Sequence, residues 1–119
     1  MVINSYKDLI VWQKSMDLVI RIYKLTDSFP KSEIYSLTSQ MRRCSISIPS
    51  NIAEGRRRGT KKDFRQFLII AYGSGSELET QLLICKRLSF GNQLFYSEID
   101  NLLLEVMKML NVMIYKLGR

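Results

Sequence analysis

The side chains in this sequence with the most evident chemistry fall in one run. Between Arg42 and Arg65 stand Arg42, Arg43, Arg56, Arg57, Arg58, Lys61, Lys62 and Arg65, against two acids, Glu54 and Asp63. That leaves a net of +6 in a chain whose formal net charge is +7. Charge gathered in this way makes a local positive field rather than a general solubility device. Arginine presents a planar fork that matches phosphate oxygens and stacks on flat rings, and RNA is met largely through shape and backbone. The eight cations are therefore the candidate nucleic-acid-binding residues. Aromatic interleaving is thin, since only Phe64 and Phe67 are near and Phe64 reads as core. Binding is expected to be phosphate-dominated and weakly sequence-specific. The competing reading is a solvated helix end and loop, with Arg42 or Arg43 paired to Glu54, Glu77 or Glu79.

Other chemistries are narrowed by composition. The chain has no histidine, which removes Ser-His-Asp and Cys-His nucleophiles, Glu-x-x-His di-iron bundles and His-containing zinc sites. The two cysteines, Cys44 and Cys85, cannot supply a four-thiolate site, and both fall at apolar helix positions as buried reduced thiols. No metal or cofactor is expected, and a non-enzymatic protein is. A carboxylate-based enzyme would have to use Glu54 or Glu77, but a buried Glu on a bundle helix is more often one half of an ion pair. The sequence pI near 9.6 favours an anionic partner: nucleic acid first, an anionic membrane surface second. With no signal segment and no apolar run near the ~18 residues of a membrane span, a cytoplasmic protein is expected.

These residues need elements to position them. The length, 119 residues, fits one domain, 1–119. Ser5-Tyr6-Lys7-Asp8 has the spacing of a capping box and predicts the start of a first helix. Two apolar lines follow on that helix. One is Leu9, Trp12, Met16, Val19 and Tyr23; the second is Val11, Leu18, Ile22 and Leu25. Two lines predict a helix sandwiched within its own bundle or between the bundle and a neighbouring subunit, the second line being the expected subunit contact. Pro30 marks a loop, and Ser32 is the expected cap of a second helix carrying Ile34, Leu37, Met41, Cys44, Ile48 and Ile52. Pro49 interrupts that line. The prediction is a helix kinked at Pro49 and running to about Glu54, against two short helices broken there. Asn51 and Glu54 are expected to face other side chains on its bent side.

Gly55 and Gly59 are read as the end of the second helix, and Thr60 to Asp63 as the cap of the third. Phe64, Leu68, Ala71, Gly75, Leu78, Leu82 and Cys85 then form an unbroken stripe. Gly73 and Gly75 within it predict close approach of another backbone. Gly91-Asn92 is a helix stop. Ser97 to Asp100 repeats the cap spacing, and Ile99, Leu102, Leu103, Val106, Met109, Leu110, Met113 and Leu117 carry a fourth helix. Four long helices with short connections predict an all-α, antiparallel up-down-up-down four-helix bundle.

Several of these stretches also carry a family likeness. Leu9-Ile10-Val11-Trp12-Gln13, Gln40-Met41-Arg42-Arg43-Cys44, Ser47-Ile48-Pro49-Ser50-Asn51-Ile52-Ala53-Glu54-Gly55 and the run from Phe67 to Leu82 resemble the four-helix-bundle proteins encoded in intervening sequences of bacterial 23S ribosomal RNA genes. The likeness covers nearly the whole chain, and its Pro-containing Asn-Ile-Ala-Glu-Gly stretch is the most specific part. It implies a bundle that assembles into a ring-like homopentamer. It also implies kinship with the accessory, variability-determinant proteins of diversity-generating retroelements, and hence RNA or DNA and a reverse transcriptase or other protein as partners, with no membrane. It implies no settled activity. Gly75 stands where a larger apolar residue is expected, and Arg56-Arg57-Arg58 is more charged than the pattern requires. Two functions compete at this point: nucleic-acid binding through the basic run, and a protein–protein scaffold or adaptor.

Overall fold

Apolar side chains that recur every three or four residues must share a helix face, and four such faces can bury each other only by closing around one core. The computed structural model describes residues 5–118. Its helices are α1 (Ile10–Asp27), α2 (Leu37–Arg58), α3 (Lys61–Arg87) and α4 (Tyr96–Leu117). α1 packs on α2, α2 on α3, α3 on α4 and α4 on α1, with no diagonal pair. Joined by short connections, successive helices run antiparallel. The result is the expected up-down-up-down four-helix bundle, 49 Å long and 24 Å across. No strand occurs among the described residues.

The core settles which apolar line of α1 is which. Val11, Leu18, Ile22 and Leu25 are all buried against α2, α3 and α4 side chains. That second line is the centre of the chain's own bundle, so the expectation that it meets another subunit is overturned. The first line lies at the α1–α2 edge, where Val19 is buried but Met16 is 39% and Tyr23 36% exposed. In α3 the predicted stripe holds from Leu68 to Cys85, every member being buried.

α2 passes through Pro49 without interruption and ends at Arg58. Two short helices are excluded, and the helix continues one turn beyond Glu54. Gly55 does not end it. It is buried inside the last turns, where a Cβ would come within 2.6 Å of the Phe67 Cβ. Gly59 does end it, with φ +86°. Gly75 gives room not to a backbone but to the Met107 side chain of α4, which occupies the space a Cβ would take. Gly73 meets nothing within 4 Å.

The caps divide. Thr60 caps α3 as expected, its hydroxyl accepting from the Asp63 N–H at 3.1 Å. Ser5 instead accepts from the Lys7 N–H and closes a 3-10 turn, Tyr6–Asp8; extended Leu9 then separates that turn from α1. Ser32 sits inside another such turn, Lys31–Glu33. Before α4, Asn92 caps a 3-10 turn, Gln93–Phe95, by accepting from the Leu94 N–H; α4 itself has no side-chain cap, and Ser97 lies within it. Cys44 and Cys85 are buried free thiols. No helix among the described residues is long and apolar enough to cross a membrane.

Candidate nucleic-acid interface

One end of the bundle gathers the C-terminus of α2, the N-terminus of α3, the C-terminus of α4 and the segment preceding α1. Two contacts tie these ends together. Arg57 lies 5.4 Å over the ring of Tyr6, and Arg65 donates to the carbonyl of Ile114. α2 finishes on Arg56, Arg57 and Arg58, all exposed, where the helix dipole favours cations. Lys61 and Lys62, also exposed, occupy the first turn of α3, where the dipole disfavours them. Helix stability alone therefore does not explain those two lysines.

The three arginines share a feature. Arg56 stands 5.9 Å over the Phe64 ring, Arg57 over Tyr6, and Arg58 5.1 Å over Phe67. All lie within the ~6 Å range of cation–π attraction. Tyr6 in turn packs edge-on against Trp12, with ring centroids 5.4 Å apart. Phe64 is partly buried against the core, as read from sequence, yet its ring also supports Arg56. Tyr6 was not in the sequence candidate set. Its role depends on the chain order that brings the start of α1 beside the end of α2. Lys7 and Lys116 join the same end for the same reason, Lys7 from the turn before α1 and Lys116 from the last turn of α4.

The other three candidates lie elsewhere or are engaged. Arg42 belongs to the α1–α2 seam. Its Nε donates to Thr26 Oγ1 and its Nη2 to Asp27 Oδ1, both at 2.8 Å, while its guanidinium covers Tyr23 at 4.4 Å. Its carboxylate partner is thus Asp27, not Glu54, Glu77 or Glu79. Arg43 is exposed, on the rim of a cleft between α2 and α3 with Gln40, Ser47, Glu77 and Gln81. It lies thirteen residues before Arg56, roughly 20 Å along the helix. Arg65 is turned inward to α4.

The carboxylates also depart from expectation. Glu54 is exposed and pairs with Arg58 at 3.2 Å, one turn on, and Glu77 is exposed as well. Neither is the buried carboxylate expected from the sequence. Asn51 does face other side chains, donating to the Ser47 carbonyl at 2.8 Å and to its hydroxyl at 3.0 Å. Ser47 meets the Ser74 hydroxyl across the α2–α3 seam. Burial pushes the Cys44 thiol up to about 11, assisted by the Glu77 charge, and pushes Cys85 up to about 11. Neither is an activated nucleophile. No group of three or more His, Cys, Asp or Glu among the described residues could hold a metal ion.

The long faces differ from this end. α1 and α2 leave an apolar cleft of about 320 Å³ lined by Tyr6, Trp12, Met16, Ile46, Pro49 and Ala53. The α3–α4 face exposes Leu83 and Leu104 beside the Lys86–Asp100 pair. The α4–α1 face is crossed by the ion pairs Lys14–Glu105 and Arg21–Glu98.

With that geometry in hand, the similarities to known proteins are informative. The 23S rRNA-intervening sequence protein family matches residues 7–112. A crystal structure of a protein of unknown function from the S23 ribosomal protein family of Bacteroides thetaiotaomicron is similar, at 27% identity and a TM-score of 0.80. The similarity covers 88% of this chain and 98% of that one. No curated protein matches the chain.

Proposed function

The chain belongs to the 23S rRNA-intervening sequence protein family, and we propose that it is a non-enzymatic, oligomeric bundle that binds RNA or other nucleic acid through its basic end. The observation that carries the reading is the corner where α2 turns into α3. Arg56, Arg57, Arg58, Lys61 and Lys62 meet there, and of these five only Arg58 has a carboxylate partner among the described residues, Glu54. The turn and the cap need no cation: Gly59 makes the one and Thr60 the other. Arg42 and Arg65 are spent on helix contacts and Arg43 lies apart, so the site is the five-residue corner with Lys7 and Lys116 flanking it. A homopentamer would repeat the corner around one rim, and linked weak contacts then act at high effective concentration.

Binding through phosphates releases counterions, so affinity falls steeply with salt. Replacing Arg56, Arg57 and Arg58 with Ala is expected to weaken binding to unrelated RNAs alike and to flatten the salt slope by about three contacts. RNA binding by both forms across a salt series tests this. No binding by the wild type at low salt would remove the reading. A scaffold or adaptor that engages a protein would then take its place, favoured by the apolar α1–α2 cleft.

A further inference from the structure

We propose that the basic end selects unpaired nucleotides, whose bases stack on its three ring-backed guanidinium groups, over fully paired duplex. The proposal rests on the nucleic-acid reading above and names the part of the nucleic acid that the corner takes.

Residue type and surroundings agree at this corner. Each arginine has an aromatic ring beneath it: Phe64 under Arg56, Tyr6 under Arg57 and Phe67 under Arg58. Lys61 and Lys62, one short turn away, have no ring contact among the described residues. A lysine is a compact point charge and suits a phosphate equally well in any setting. Only arginine offers a plane. A guanidinium attracted to a ring is held by the protein from that side, Arg58 by Glu54 as well, and all three residues remain exposed to solvent. The ring also restricts the side chain before anything binds, which lowers the ordering cost on association.

A flat, charged, pre-ordered plane is what an unstacked base requires. Bases in loops and single strands can be splayed out and stacked on arginine or aromatic planes, whereas bases inside a duplex already have both faces covered. The rings themselves are poor platforms here, because Phe64 is packed against the core and Tyr6 against Trp12. The base would therefore lie on the arginine, whose position the ring biases in advance. The neighbouring Lys61 and Lys62 would hold the flanking phosphates. Such a site discriminates by pairing state and little by sequence, since every base has a π-face.

The test compares three RNAs by fluorescence anisotropy: a hairpin with an unpaired loop, the same hairpin with an abasic loop, and a fully paired dumbbell of equal phosphate number. The proteins are wild type and the triple variant R56K/R57K/R58K, which keeps every charge. Circular dichroism and the thermal midpoint verify that the variant is folded. Wild type is expected to bind the unpaired loop roughly tenfold or more tighter than the abasic loop or dumbbell. The Lys variant should keep the wild-type affinity for the abasic loop, keep the salt slope, and lose the preference. Equal binding of all three RNAs by wild type overturns this inference and leaves the phosphate reading standing. A Lys variant that retains the preference overturns the assignment to these arginines. No binding to any probe removes both.

Discussion

The Arg65 Nε donates to the backbone carbonyl of Ile114, 3.0 Å away, and so closes the last turn of α4 from α3. That carbonyl already accepts from the Gly118 N–H at 3.2 Å, and the guanidinium adds a second donor, with charge of the sign the dipole favours at a helix C-terminus. Gly118 sits against the same group, where a Cβ would come within 2.9 Å of Nε. Arg65→Ala is expected to lower stability by about 1–3 kcal/mol, the range for a lost charge-assisted bond. Its RNA affinity should stay close to wild type, the opposite of the result for Arg56, Arg57 and Arg58. Urea denaturation and RNA titration of the two variants side by side check this separation.

Two glycines should respond in opposite directions. At Gly55 an added Cβ meets the Phe67 Cβ at 2.6 Å and the Phe64 carbonyl oxygen at 3.3 Å. Neither atom can move without the α3 backbone, so Gly55→Ala is expected to cost about 1–3 kcal/mol through overpacking. Gly73 is helical and exposed, with nothing within 4 Å. Gly73→Ala should stabilise by about 0.5–1 kcal/mol, because alanine loses less backbone freedom on folding. Thermal midpoints that move in the same direction for both variants would contradict the packing at the α2–α3 crossing.

Periodicity alone made the four helices and the α3 stripe legible, because a buried face repeats at the helical spacing whatever it packs against. The phase of α1 was not legible. Both of its lines repeat at helical spacing, and only the positions of α2, α3 and α4 show that Val11, Leu18, Ile22 and Leu25 face inward. Helix starts failed where a 3-10 turn intervenes: Ser5 accepts from the Lys7 N–H ahead of α1, Ser32 sits inside the turn before α2, and a turn capped by Asn92 leads into α4, with Ser97 inside the helix. The basic run was visible as charge, but its division was not. Arg42 finds Asp27 fifteen residues away and Arg65 finds Ile114 at a separation of forty-nine. Glu54 shows the converse, since its partner was one turn away in plain sight at Arg58. As an exposed pair it is worth little, and Glu54→Ala should change stability by no more than about 0.5 kcal/mol, not by the amount a buried carboxylate would. Urea denaturation of that variant measures it.

The buried thiols predict a stability loss in alkali. Burial raises Cys44 and Cys85 from 9.0 to about 11. Well below pH 9 the thiols are protonated whether the chain is folded or not, and stability does not depend on them. Between pH 9 and 11 the unfolded chain releases these protons while the folded chain retains them. The unfolded state then binds fewer protons, so stability falls as pH rises. Tyr96, a phenol also raised by burial and donating to the Phe90 carbonyl at 2.7 Å, adds to the fall above pH 10. The double variant C44A/C85A should start less stable but fall less steeply over this window. Thermal midpoints from pH 8 to 10.5 give both slopes, and parallel slopes would show that the thiols ionise freely in the fold.

The last prediction concerns assembly, and it follows from the corrected phase of α1. With Val11, Leu18, Ile22 and Leu25 inside, any contact with a second copy must use other apolar groups. The α1–α2 edge supplies them: Met16 is 39% and Ile46 41% exposed around the cleft that also holds Trp12, and Ile34, 51% exposed, lines a second cleft with Tyr23 and Ile46. Across the bundle, α3 and α4 expose Leu83 and Leu104, each 54%. Contiguous exposed apolar surface on a soluble chain marks an interaction site. The two faces are unlike, so a contact between them is heterologous, and a heterologous contact that closes makes a ring. A homopentamer of this 13.9 kDa chain would have a mass of roughly 70 kDa. Light scattering after size-exclusion chromatography is expected to give that value at micromolar concentration. M16E/I46E places charge on the α1–α2 face without touching a core residue, and it should shift the mass to 13.9 kDa while circular dichroism stays helical. A wild type that already runs at 13.9 kDa would remove the ring, and the basic corner would then act as a single site with the weaker affinity of unlinked contacts.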